Sequence, residues 1–289
     1  MAERTQGEPL LLARGLKVEF GGGRDFLFRK RAPFEALRGV DFEIRRGEAF
    51  ALVGESGAGK TTAARCVVGL NRPTAGELRF EGAELGQRRS RELRRAIQMV
   101  FQDPYSSLNP RLTVGSALTE LLRVNGLASS KRAALDRAAE LLAMVGLPKA
   151  ALDQRPFAFS GGQRQRIGIA RALAVEPILL VADEPVSALD VSIQASILVL
   201  LKRLQEELGL SMLFISHDLA VVRQLCDRVA VMSDGAIVEE GGVEEVFSQP
   251  RDDFTKALLD AATDLPPLEL SDIGNTREQT VTRGELDRP

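Results

Sequence analysis

The stretch Gly54-Glu55-Ser56-Gly57-Ala58-Gly59-Lys60-Thr61 limits what this chain can fold into more than any other feature of its sequence. It satisfies the pattern G-x-x-x-x-G-K-[ST], between a compact apolar run, Ala49-Phe50-Ala51-Leu52-Val53, and a helical pattern from Lys60 to Leu70. Glycines at a strand-to-helix turn let the backbone curl until successive N–H groups face inward at the positive end of the helix. Such a nest suits a polyphosphate, with Lys60 reaching the terminal phosphates and the Thr61 hydroxyl binding Mg²⁺. The motif therefore points to a nucleoside triphosphate held at the edge of a parallel sheet.

The rest of the chain supplies that sheet. From residue 178 onward short apolar strands alternate with helical patterns: ILLVA, SIQASILVLLKRLQEELG, SMLFIS, DLAVVRQLC and RVAVMSD. The run ILLVADEP ends in two carboxylates. A buried parallel strand would set them beside the phosphate loop, Asp183 holding Mg²⁺ through water and Glu184 polarising an attacking water as general base. The first fifty residues read as strands with turns, LLARGLKVEF and ALRGVDFEI among them. The middle, about 103–175, is helix-rich, and Leu135, Ala138, Ala139, Leu142 and Val145 make one apolar stripe at spacings of three and four. After about Pro250 the pattern fades to one short helix, FTKALLDAA, and a polar tail expected to be mobile.

Composition excludes several classes. Lys and Arg number 38 against 40 Asp and Glu, a net charge of −2, so bulk positive charge does not recommend nucleic acid as a partner. The two cysteines, Cys66 and Cys226, cannot form a disulfide framework; they fit a reducing compartment and read as buried, inert thiols. The N-terminus lacks the apolar stretch of a secretory signal, and runs such as ILLVA fall far short of the roughly 20 residues a bilayer demands. The expectation is a chain that neither crosses a membrane nor is exported by its own signal.

The segment Phe159-Ser160-Gly161-Gly162-Gln163-Arg164-Gln165-Arg166 is the informative oddity. Ser160 and Gln163 read as a capping box. The two glycines between them each sacrifice about 1 kcal/mol of helix propensity relative to Ala, which a plain helix start has no reason to accept. Bare backbone makes sense where something must come close, and an anion is what a helix N-terminus favours. This reads as a second phosphate-binding element, most simply for a nucleotide held by another chain.

Together GESGAGKTT, FSGGQRQR, VADEP and ISHDL resemble the Walker A, signature, Walker B and switch-histidine motifs of ABC-type ATPases, over about residues 9–250. MVFQDPYSSLNPRLTV and DEPVSALDVSIQA look more narrowly like the oligopeptide/dipeptide import subgroup. The resemblance implies an α/β fold of P-loop NTPase type: a RecA-like parallel-sheet core, an N-terminal antiparallel β subdomain and a helical signature subdomain at about 103–175, followed by a C-terminal extension, 251–289. It implies head-to-tail dimers that sandwich two ATP molecules. Residues 54–61 with Thr62 would hold ATP and Mg²⁺ from one side, and Ser160, Gly161, Gly162 and Gln163 would close on ATP from the other. By the same resemblance Gln102 senses the γ-phosphate, contributes to the metal site with Thr61 and Asp183, and contacts the membrane partner. Ser187, Ala188, Leu189 and Asp190 would cross the dimer interface, His217 would assist Glu184, and Phe20 would stack on adenine, with Phe26 and Phe28 as competitors.

The implied protein is the ATPase subunit of a membrane importer, peripheral on the cytoplasmic face of the cell (inner) membrane. Its partners would be transmembrane permease chains, a second ATPase subunit, identical or homologous, and through the permease an extracytoplasmic solute-binding protein. Peptides, nickel, sugars and glutathione all stay open as cargo. Two other classes compete: a non-transport ABC ATPase of DNA repair or translation, and a P-loop kinase, in which FSGGQ would have no task. Departures from the subgroup are the stretch DQRPFAFSGG before the signature, Phe159 where Leu is usual, and DDFTKALLDA in place of a His-Pro-Tyr-Thr type sequence.

Overall fold

The computed structural model describes residues 8–21, 33–86, 88–103 and 108–262; Phe26, Phe28 and the tail after 262 lie outside them. Two sheets carry the fold. Strand β1 (Leu11–Phe20) pairs antiparallel with β2 (Phe34–Ile44) on one side and with β4 (Ala75–Phe80) on the other, and β4 turns into the short β5 (Ala83–Glu84). The second sheet has the order β10-β9-β3-β8-β7-β6, where β3 is Ala49–Val53, β6 Ile97–Val100, β7 Leu179–Asp183, β8 Ser211–Ile215, β9 Arg228–Ser233 and β10 Ala236–Gly242. All its neighbours run parallel except β10, which folds back on β9.

Strands β3, β7 and β8 are buried at every residue, which explains why they are apolar throughout except at Asp183, the last residue of β7, and Ser211, the first of β8: a parallel strand covered on both faces has no polar side to alternate with. Successive residues then enter opposite cores. Ala49, Ala51, Val53, Leu180, Ala182, Met212 and Phe214 join the core shared with helices 114–124, 131–144, 161–173, 191–208 and 219–225. Phe50, Leu52, Leu179, Val181, Leu213 and Ile215 join the core shared with helix 60–68 and the antiparallel sheet. The α/β architecture with an antiparallel β layer and a helical layer is thus the one expected.

The helical layer corrects one expectation. Helix 131–144 packs on helix 114–124, but buries Ala134, Ala138, Leu141 and Leu142, followed by Val145. Leu135, placed in the buried stripe from sequence, is 38% exposed, and Ala139 is only partly covered. Both lines have helical spacing. Ala138, Leu142 and Val145 are buried as expected, and the buried face is turned only far enough to take in Ala134 and Leu141 in place of Leu135 and Ala139. Helix 253–262 seats Phe254, Leu258 and Leu259 on the first of the two cores. No helix among the described residues is long and apolar enough to cross a membrane.

At the amino ends of the parallel strands Arg228 clamps the two sheets. Its guanidinium meets Glu48 at 3.1 Å, pairs with Glu240 and lies over the Phe50 ring, which is stacked on Phe42. The Glu48 side chain is only 7% exposed, so removing its cation would strand a buried charge. We expect Arg228→Ala to lower unfolding stability by about 3 kcal/mol in urea titrations; a loss below about 1 kcal/mol would show the pair to be dispensable.

Both thiols are buried and free, Cys66 within helix 60–68 and Cys226 just beyond helix 219–225. Burial pushes the Cys66 thiol up to about 11 and raises that of Cys226 as well, as inert core cysteines require.

Candidate functional site

Strand β3 delivers the chain into the loop Gly54–Gly59, and helix 60–68 leaves it. At Gly59 the backbone is left-handed (φ 103°), and a Cβ there would lie 2.6 Å from the Ala36 carbonyl oxygen, so β2 braces the loop from below. Helix 60–68 has no side-chain cap and no acidic residue in its first turn, which leaves its leading N–H groups to a ligand. Glu55, Ser56 and Gly57 are exposed, whereas Ala58 and Lys60 are buried. Lys60 Nζ donates to the Gly54 and Glu55 carbonyls, both at 2.7 Å. Burial lowers the pKa of this amine, and the nearby Glu184, Asp183 and Glu55 partly restore it.

Asp183 closes the other side. Thr61 Oγ1 donates to its Oδ1 at 2.9 Å, and burial pushes the carboxyl above its ordinary range against the opposing pull of Thr61, Arg65 and Lys60. Two adjacent hard oxygens, one of them an acid, suit Mg²⁺, which takes few protein ligands and completes its shell with phosphate and water. Among the described residues no group of three or more His, Cys, Asp or Glu is placed to hold a metal ion.

Three neighbouring strands converge on Glu184. Gln102 lies two residues past β6, Glu184 follows β7 directly, and His217 lies two residues past β8. Gln102 Nε2 donates to Glu184 Oε2 at 2.9 Å and to Ser187 Oγ at 3.2 Å, while His217 Nδ1 stands 3.4 Å from Glu184 Oε1. Each carboxylate oxygen thus has its own partner. Glu184 holds a left-handed backbone (φ 44°), strain of a kind that non-glycine residues keep where surrounding structure enforces it, and its N–H is pinned to the Ile215 carbonyl at 3.0 Å. The hydrogen bonds of the Gln102 amide run to Glu184 and Ser187, not to the Thr61–Asp183 pair.

The Ser160 corner stands apart and exposed. Its capping box is complete: Gln163 N donates to Ser160 Oγ at 3.3 Å and Ser160 N to Gln163 Oε1 at 3.0 Å. The two glycines have a use the sequence did not disclose. A Cβ at Gly162 would lie 2.3 Å from Ile193 Cγ2, so bare backbone is demanded there from within the protomer as well, whereas one at Gly161 would lie 3.1 Å from Leu189 Cδ2, a tight contact with a flexible side chain. Asp190 is the N-cap residue of helix 191–208 and makes no side-chain capping bond. Gln165, buried one helical turn into the segment, donates to the Phe101 carbonyl at 3.4 Å and ties this helix to the strand end that bears Gln102. Phe159 is buried in the core.

Phe20 ends β1 at 44% exposure, directly opposite Phe34 at 64%. Phe34 was not singled out by sequence, since nothing local distinguishes a phenylalanine that opens a strand from one that lines a core. Thr62 lies on the first turn of helix 60–68, partly covered.

Residues 37–187 match the family model described as ABC transporter. The chain is 48% identical over 258 residues to the oligopeptide transport ATP-binding protein OppF of Bacillus subtilis, covering 88% of this chain and 82% of that one. It is 44% identical to the protein of the same name from Lactococcus lactis, covering 94% and 85%. Among solved structures it resembles the dimeric ATP-binding cassette MJ0796 in a post-hydrolysis state bound to ADP and Pi, with a TM-score of 0.70 and 31% identity over 81% of this chain and 98% of that one.

Proposed function

The chain belongs to the ABC transporter family and is an ATP-hydrolysing cassette of it, and from that premise we propose that it energises the import of peptides through separate membrane permease chains. The observation that carries the chemistry is the convergence of Gln102, Glu184 and His217 beside the Lys60 loop. In this reading residues 9–250 are the cassette, with 103–175 as its helical signature part.

Each residue has a task. The N–H groups from Gly57 to Thr62 and the Lys60 amine hold the β- and γ-phosphates. Thr61, Asp183 and Gln102 are the residues that would hold Mg²⁺; when bound, that ion neutralises phosphate charge. Glu184 takes a proton from a water as its oxygen attacks the γ-phosphorus, and ADP leaves with the bridging oxygen. Gln102 and His217 orient the Glu184 carboxylate and the water. Phe20 stacks on the adenine. Ser160, Gly161, Gly162 and Gln163 of one protomer close on the triphosphate of a second ATPase subunit, and Asp190 meets that subunit across the interface. ATP binds the closed pair more tightly than the open one, and this difference drives the permease. The subunit works at the inner face of the membrane, with a solute-binding protein delivering cargo to the permease from outside. The relatives named for oligopeptide transport and the exposed Ser160 corner support this reading.

Reconstitution with the permease chains in proteoliposomes tests it: ATP hydrolysis releasing free phosphate should accompany uptake of labelled peptide. Hydrolysis that neither needs nor responds to permease and peptide would refute it. We further expect His217→Ala to bind ATP normally while phosphate release falls by about 10²-fold, as for loss of a group assisting a general base. Turnover within about threefold of the parent would remove His217 from the mechanism.

A further inference from the structure

A path of contacts leads from Glu184 to the signature within one protomer. Ser187 N donates to the Glu184 carbonyl, Leu189 N to that of Val186, and Ile193 N to that of Asp190, while Gln194 Nε2 closes on the Leu189 carbonyl at 2.9 Å. This coiled turn thrusts Leu189 and Ile193, both half-buried, against the bare backbone of Gly161 and Gly162. The two contacts differ in kind. Leu189 offers the far methyl of a flexible side chain at 3.1 Å from a Cβ built on Gly161. Ile193 offers Cγ2, the methyl bonded directly to its Cβ, at 2.3 Å from one built on Gly162. A β-branched residue in a helix has one strongly preferred rotamer, so this wedge does not yield.

We propose that Ile193 is a positioning residue for ATP hydrolysis: its β-branch, seated in the notch left by Gly162, fixes the Ser160–Gln163 corner to the turn 184–190. Each protomer's own Glu184 site is thereby coupled to the triphosphate that its signature grips in the partner. The inference rests on the reading of that corner as the partner's phosphate clamp, and it assigns Gly162 a steric duty inside the protomer besides any duty toward phosphate.

The test uses the full chain carrying Glu184→Gln, with ATP-dependent dimerisation as readout. Gly162→Ala should abolish dimers. Adding Ile193→Ala should restore them to within about threefold of Ile193→Ala alone, whereas adding Ile193→Val, which keeps both branch carbons, should not. Failure of both second changes to rescue would mean that glycine is needed for the phosphate itself, and an undiminished Gly162→Ala would mean that no wedge exists; either overturns the proposal. Should Gly162→Ala not fold, Ile193→Ala alone decides. It should raise the ATP concentration needed for dimers by about tenfold while the affinity of a fluorescent ATP analogue for the monomer stays within about twofold. Equal losses in both, or no loss in dimerisation, overturn it too. A Glu184→Gln parent that never dimerises is the failure of the clamp reading and is seen before any change at 162 or 193.

Discussion

Glu184→Gln is expected to lower phosphate release by about 10³-fold and to leave a stable dimer at saturating ATP. The substitution keeps the shape of the side chain and the backbone demand at φ 44°, and the amide can still satisfy both neighbours. Its oxygen accepts from Gln102 Nε2, and its nitrogen donates to His217 Nδ1 in the tautomer that leaves that nitrogen bare. What is lost is basicity alone: an amide cannot take the proton of the attacking water. Because Lys60, Thr61 and the loop N–H groups are untouched, ATP affinity should stay within about threefold, and binding without turnover should trap the closed pair. Phosphate release and light scattering after size exclusion check the two halves separately. Turnover within tenfold of the parent would exclude Glu184 as the base, and a monomer at saturating ATP would exclude the sandwich.

Lys60→Ala is expected to weaken ATP binding by at least about 100-fold and to stop hydrolysis. Charge-assisted hydrogen bonds contribute about 1.5–3 kcal/mol each, and two of them, to the β- and γ-phosphates, account for at least that factor. The loop itself also depends on this amine: in its absence the Gly54 and Glu55 carbonyls lose donors at 2.7 Å. Lys60→Arg should not rescue, because a planar fork cannot occupy the pocket of a compact ammonium 5% exposed. Titration with a fluorescent ATP analogue reads the effect, and a Kd within about threefold of the parent would overturn the assignment of Lys60.

How much of this was legible beforehand depended on whether the cause was local. The strands β3, β7 and β8 announced themselves because burial on both faces writes an apolar run, broken only at Asp183 and Ser211 at strand ends, and Lys60 and Thr61 because the strand–glycine–helix context is contiguous. Strands β4 and β10 left no such trace: AGELRF and AIVEEGG keep exposed positions among covered ones, as edge-side strands do, and were not picked out. On helix 131–144 the pattern places Ala138, Leu142 and Val145 correctly but takes Leu135 and Ala139 for Ala134 and Leu141, because alanines satisfy either stripe and only the neighbouring helix decides. The glycines of the signature were noticed, but half of their cause was out of sight, since Ile193 is remote in sequence from Gly162 and no local pattern joins them. The meeting of Gln102, Glu184 and His217 came from family likeness; residue types alone would have left Gln102 on the surface.

The alternation of side chains along β3, β7 and β8 has a consequence for how the molecule comes apart. The antiparallel sheet has no private interior: what it rests on is Phe50, Leu52, Val181, Leu213 and Ile215, the reverse sides of strands whose other residues belong to the helical layer. Melting either layer exposes the central wall of the other, so the two cannot unravel in turn, and heat should dismantle them in one cooperative event.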